Sequence, residues 1–197
     1  MATQSRQQKN SFNVPSREKT KQLYERHHAQ YEIAQTRISR KIRNLITRND
    51  LNAALRMRVK SFDSYFNKIL RFYNAGRRDN IKIQDMIGIR VVCSFLGELD
   101  VIKRLLIEHF NVIEVESKGA KHSFREFGYD SIHLLIQLPE DTITNPIPHC
   151  AGVCEVQLRT KLQDAWAEVE HELIYKSDYS LLNEHLKRKL AALNASL

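Results

Sequence analysis

The chain contains no apolar run near the ~20 residues that a bilayer-spanning helix requires, and no hydrophobic signal core follows its opening Met-Ala-Thr-Gln-Ser-Arg. No helical membrane anchor is expected, and a cytoplasmic protein with no membrane partner is the reading. Cysteine is scarce: Cys93, Cys150 and Cys154 form an odd set. The stretch Cys150-Ala-Gly-Val-Cys154 has only His149 beside it, without a second pair at zinc spacing, so the three are read as reduced packing thiols. No internal repeat and no low-complexity tract interrupts the sequence. Acid is the minority charge, with 23 Asp and Glu against 31 Lys and Arg, a net of +8.

What is present suits one compact domain: 197 residues, 42% hydrophobic and 27% charged. The charge is placed unevenly. Residues 1–82 hold 19 Lys and Arg against 6 Asp and Glu, a net of +13, whereas the remainder holds 12 against 17, a net of −5. Such a field draws polyanions, with nucleotide phosphates or RNA the natural candidates. A solvated basic face is the plainer alternative.

Residues 1–15 are polar and aperiodic, and Ser16 has the character of an N-cap. From there to Thr47, apolar residues recur at spacings of three and four, the period of an amphipathic helix. Residues 61–74 repeat that period. Ile87 to Phe95 is nearly continuous in apolarity and reads as a strand covered on both faces. A crossover helix over 98–109, strands over 110–117, 131–138 and 152–158, a helix over 160–175 and a basic helix over 181–193 complete an α/β pattern on a mixed sheet.

Two acids stand out within these apolar runs, Asp85 in Ile83-Gln-Asp-Met-Ile-Gly-Ile-Arg-Val-Val92 and Glu155 in Cys154-Glu-Val-Gln-Leu-Arg-Thr160. A half-buried carboxylate costs several kcal/mol unless a cation, hydrogen bonds or a proton neutralise it. Read as two strand-borne acids, they meet at one divalent ion in phosphoryl chemistry, or each pairs with an arginine at a strand end.

Four segments taken together resemble the synthetase domain of the RelA/SpoT enzymes, in the stand-alone form of a small alarmone synthetase: Arg58-Val-Lys-Ser61, Asp85-Met-Ile-Gly-Ile-Arg90, Gly128-Tyr-Asp-Ser-Ile-His133, and Glu155-Val-Gln-Leu-Arg-Thr160 with the helix after it. The resemblance implies a nucleotidyltransferase-like fold with a mixed, mainly antiparallel sheet of about five strands. It places the core at 51–178, between a basic arm and helix at 1–50 and a C-terminal helix at 179–197. The implied activity is transfer of the β,γ-diphosphate of ATP to a ribose 3′-hydroxyl.

By the same resemblance Asp85 holds Mg²⁺, and Glu155 is a general base or second metal ligand with Gln157 beside it. Arg58 meets the ATP base, Lys60 its phosphates, with Ser61 and Arg90 on the ATP side; Arg90 can equally neutralise a nearby carboxylate. Lys68, Arg125, Tyr129 and His133 serve the acceptor, Tyr129 by stacking on a nucleobase. Trp166 is read as core packing, and Glu170 and Glu172 as ion-pair partners. Phe127 and Asp130 depart from the pattern in the acceptor pocket. GDP or GTP is the first acceptor expected, and the 3′ end of tRNA, as in toxic relatives, the second. An idle RNA-binding module is the non-enzymatic alternative. No hydrolase segment is seen, so control by an antagonist (antitoxin) protein, a ligand, transcription or homo-oligomerisation is expected.

Overall fold

Ser16 accepts a hydrogen bond from the Lys19 amide, and from this cap the first helix, α1, runs over Arg17–Arg48. The structure, a computed structural model, describes residues 15–77, 81–118, 131–139 and 141–176, and the side chains through residue 168 of the last helix. Tyr24, Tyr31, Ala34, Ile38, Ile42, Leu45 and Ile46 make the buried stripe of α1, as the three-and-four spacing predicts. Ser61 caps α2 (Phe62–Asn74) by accepting from Ser64 N. Glu98 fixes the start of α3 (Leu96–His109), its carboxylate accepting from the Ser94 and Phe95 amides at 2.9 Å. Helix α4 (Lys161–Lys176) opens on a reciprocal pair, Gln163 N donating to Thr160 Oγ1 at 3.2 Å and Thr160 N to Gln163 Oε1 at 2.8 Å. No described helix is long and apolar enough to cross a membrane.

Five strands form one sheet: β1 (Ala53–Val59), β2 (Ile87–Cys93), β3 (Val112–Lys118), β4 (Ser131–Gln137) and β5 (Val153–Thr160), in the order β1-β2-β5-β4-β3. Only β2 and β5 run parallel; the other three pairings are antiparallel. Strand β1 is absent from the sequence reading. Ala-Ala-Leu-Arg-Met-Arg-Val is mostly helix-forming residues, and seven register pairs to β2 override that local preference. Arg58 accordingly lies on a strand, not in a helical lead-in.

The sheet has two unlike faces. Ile87, Ile89, Val91 and Cys93 of β2, Leu134 and Ile136 of β4, and Cys154, Val156 and Leu158 of β5 join the stripes of α1, α2 and α3 in one buried cluster. Helices α1, α2 and α3 cover one face of β2; on the opposite face α4 packs over the far end, where Val92 is buried and Arg90 meets Asp164, so the cover expected on both faces is complete there and partial at Gly88 and Arg90. Three tyrosine hydroxyls tie this layer together: Tyr24 donates to Lys60 O at 2.7 Å and Tyr65 to Pro148 O at 2.9 Å, and Tyr31 accepts from Ile147 N at 3.1 Å. All three cysteines are free, with Cys93 and Cys154 buried. Burial pushes Cys150 up to about 12 and Cys154 higher still. Ile89, 1% exposed, sits at the centre of the cluster, and Ile89→Ala should cost about 2–5 kcal/mol of unfolding free energy in a urea titration.

Candidate active site

Strand alternation lines up functional side chains on the face opposite α1, α2 and α3. Register places Arg58 opposite Gly88 and Gly88 opposite Glu155; two residues along, Arg56, Arg90, Gln157 and His133 follow one another across β1, β2, β5 and β4. The Arg58 side chain passes over Gly88, where a Cβ would stand at an ordinary contact distance of 3.7 Å from Arg58 Cγ. Arg56, Arg58, Asp85, Arg90, Glu155 and Gln157 line one cleft of about 200 Å³. The two acids thus open onto the same space.

Asp85 is not on a strand. It lies two residues ahead of β2, in a segment pinned on both sides: Ile83 N donates to His149 O at 2.7 Å, Ala151 N to Ile83 O at 3.0 Å, and Lys60 N to Met86 O at 2.8 Å. His149 reaches that bond with a left-handed φ of 64°, a conformation that non-glycine residues adopt only when their surroundings impose it. Ile83 and Met86, each 1% exposed, anchor the segment in the core. Asp85 is therefore presented rigidly to the cleft.

Two ammonium groups hold its carboxylate. Lys60 Nζ stands 2.8 Å from Oδ2 and Lys68 Nζ 2.8 Å from Oδ1. Burial alone raises the pKa of Asp85, but hydrogen bonds and charge from Lys60 and Lys68 outweigh it, so the group is held below its ordinary 3.8. Lys60 is itself buried, at 9% exposure. Lys68, expected on the acceptor side, stands with Lys60 at this acid. Ser61, expected to face ATP, spends its hydroxyl on the cap of α2 and on Ser64 Oγ at 3.0 Å.

Glu155 is held by different neighbours. His133 Nδ1 lies 2.9 Å from Oε1, and Gln157 Nε2 donates to Oε2 at 3.2 Å. Burial raises its pKa and the charge of Asp85 adds to that, yet the His133 and Gln157 contacts prevail, and Glu155 sits below its ordinary 4.5. An ionised carboxylate only accepts, so His133 donates from Nδ1, and in the neutral ring Nε2 accepts from Ser131 Oγ at 2.8 Å. His133 is buried at 8% exposure. Its contact with Glu155 joins it to the same cluster.

Sequence reasoning passed over a third acid, Asp164 of α4, which is 4% exposed. It receives Arg90 at 2.9 Å, Arg159 at 3.2 Å and Arg56 at 3.3 Å, and Arg56 also pairs with Glu168. Arg90 therefore neutralises a carboxylate while lining the cleft. Arg56, which the resemblance does not single out, lines it too. The period-two pair Arg56 and Arg58 was the available signal, legible once residues 53–59 are recognised as a strand.

Asp85 and Glu155 offer hard oxygen donors on a single cleft, which fits Mg²⁺, an ion bound through one or two carboxylates plus phosphate oxygens and water. Among the described residues no group of three His, Cys, Asp or Glu side chains is arranged to hold a metal. Arg125, Tyr129, Phe127 and Asp130, the side chains of Glu170 and Glu172, and the helix expected at 181–193 lie outside the described residues.

Comparison with known proteins follows the same lines. Residues 57–180 match the family described as "Region found in RelA / SpoT proteins". The chain is 33% identical over 135 residues to the GTP pyrophosphokinase YwaC of Bacillus subtilis, a match covering 68% of this chain and 63% of that protein. It is 33% identical over 96 residues to YjbM of the same organism, also a GTP pyrophosphokinase, covering 48% of this chain and 43% of the relative. The match thus spans less than two thirds of each curated relative. In fold, small alarmone synthetase 1 of Bacillus subtilis bound to its product pppGpp superimposes with a TM-score of 0.67, at 24% identity over 88% of this chain and 90% of that one.

Proposed function

The chain belongs to the RelA/SpoT family, and from that premise we propose that it is a pyrophosphokinase moving the β,γ-diphosphate of ATP to the ribose 3′-hydroxyl of GDP or GTP, yielding ppGpp or pppGpp. The observation that carries this reading is the opening of Asp85 and Glu155 onto one cleft walled by Arg56, Arg58 and Arg90. Guanidinium groups pair with phosphates and stack on purines. The pppGpp found on the similar synthetase supports a guanosine acceptor.

Glu155 is the general base. Held ionised, it takes the proton from the 3′-hydroxyl as that oxygen bonds to the β-phosphorus; the bridge from the β-phosphorus to the α-phosphate oxygen breaks, and AMP leaves with the electron pair. His133 and Gln157 aim the carboxylate. Arg58 and Arg90 receive the nucleotide, and Lys60 and Lys68 exchange Asp85 for phosphate oxygens as substrate enters. Asp85 would hold Mg²⁺, which supplies charge neutralisation of the phosphates when bound.

The +13 of residues 1–82 favours a second acceptor, the 3′-terminal adenosine of tRNA, because a polyanion gains most from such a field. One assay separates the two. Incubated with ATP labelled at the β-phosphate and Mg²⁺, the protein should label GDP or GTP and leave deacylated tRNA unlabelled; label appearing on tRNA alone would replace the first acceptor by the second.

A further inference from the structure

A hydrogen-bonded chain runs along β5 from the buried acid of α4 to the catalytic carboxylate, and its direction is dictated by its first member. Arg159 can only donate. Its Nη1 gives to Asp164 Oδ1 at 3.2 Å and its Nη2 to Gln157 Oε1 at 3.2 Å, and Gln157 Nε2 in turn gives to Glu155 Oε2 at 3.2 Å. Arg159 and Asp164 are each 4% exposed. With Oε1 committed to the guanidinium, the amide of Gln157 cannot turn over, and its donor face is locked onto Glu155. From the other side His133 occupies Oε1 of the same carboxylate at 2.9 Å.

We propose that Arg159, held by Asp164, is a positioning residue for the transfer reaction: by fixing the orientation of the Gln157 amide it fixes the orientation of Glu155 toward the incoming hydroxyl. The inference rests on the reading of Glu155 as the base. An unanchored amide would spend part of its time with its oxygen toward Glu155, where two acceptors repel, and the carboxylate would swing from its line of attack. A misdirected base slows chemistry without weakening substrate binding.

Arg159 lies in the motif Glu155-Val-Gln-Leu-Arg159 at alternate strand positions, so all three polar side chains share one sheet face, with Arg159 at its buried end beneath α4. Asp164 keeps Arg56 and Arg90 as partners when Arg159 is changed, which limits the structural damage of the substitution.

The test is steady-state diphosphate transfer by Arg159→Met, Gln157→Met, the double variant, Gln157→Glu and Glu155→Gln. Arg159→Met is expected to lower kcat about 10- to 100-fold, the range for residues that orient a functional group from behind, with KM for ATP and acceptor unchanged. The double variant should fall within about twofold of Gln157→Met, because Arg159 acts through that amide. Gln157→Glu keeps an acceptor for Arg159 but removes the donor to Glu155, so it should lose at least as much kcat as Arg159→Met. Wild-type kcat in Arg159→Met, or losses that multiply in the double variant, would overturn the proposal; should Arg159→Met fail to fold, wild-type kcat in Gln157→Glu does the same. An active Glu155→Gln would instead remove the base assignment itself, which separates failure of this chain from failure of the reading beneath it.

Discussion

Glu155→Gln should lower kcat for diphosphate transfer by about 10²- to 10⁴-fold, the contribution of a positioned general base, while leaving the protein folded. The substitution keeps size and shape. The new amide can present its oxygen to Gln157 Nε2, which now donates to Oε2 at 3.2 Å, and its NH₂ to His133. His133 then needs only to change tautomer, accepting at Nδ1 and donating from Nε2 to Ser131 Oγ, 2.8 Å away. Urea midpoints close to wild type together with a collapsed transfer rate would locate the loss in chemistry. Transfer at the wild-type rate would show that some other group takes the proton.

Asp85→Asn should affect both activity and stability. Its carboxylate offsets two ammonium groups, and Lys60 is 10% exposed at the side chain. Removing one partner of such a pair strands a cation, at a cost of about 3 kcal/mol, the low end of the range because the cleft still admits water. Transfer should fall at least ~10³-fold, since an acid matched to the phosphate-bound cation contributes several kcal/mol to the barrier. Lys60→Met added to Asp85→Asn should recover stability in a thermal melt without recovering activity. A single variant as stable as wild type would mean that the pair is satisfied by water alone.

The same groups set an acid limit. Asp85 and Glu155 both titrate below their ordinary 3.8 and 4.5 in the folded chain, so the unfolded chain binds more protons as the solution turns acid. Their contribution to stability is complete above those ordinary values and is lost as pH falls through the lower folded ones. Without Mg²⁺, urea midpoints measured from neutral pH down into that range should fall less steeply for Asp85→Asn than for wild type.

Much of the architecture was legible in the chain because helices and buried strands advertise themselves by period. The cap at Ser16, the stripe from Tyr24 to Ile46, the helix over 61–74 and the strand after Asp85 all stand where spacing puts them. Residues 53–59 carried no such mark, being paired on one edge only and built from residues with no preference for extended backbone. Losing that strand hid Arg56, and with it the guanidinium cluster around Asp164.

Asp85 and Glu155 drew notice because acids in apolar runs need compensation, a requirement of solvation that any sequence carries on its face. Which cations and donors compensate them is largely a matter of three-dimensional proximity: Lys60 and Lys68 come to one acid from β1's end and from α2, and His133 comes to the other from β4, joining Gln157 of Glu155's own strand. Periodicity and burial cost are local properties and can be read along a chain. The pairing of charges from segments dozens of residues apart depends on sheet order and register, and only the folded sheet, with β2 and β5 side by side, determined it.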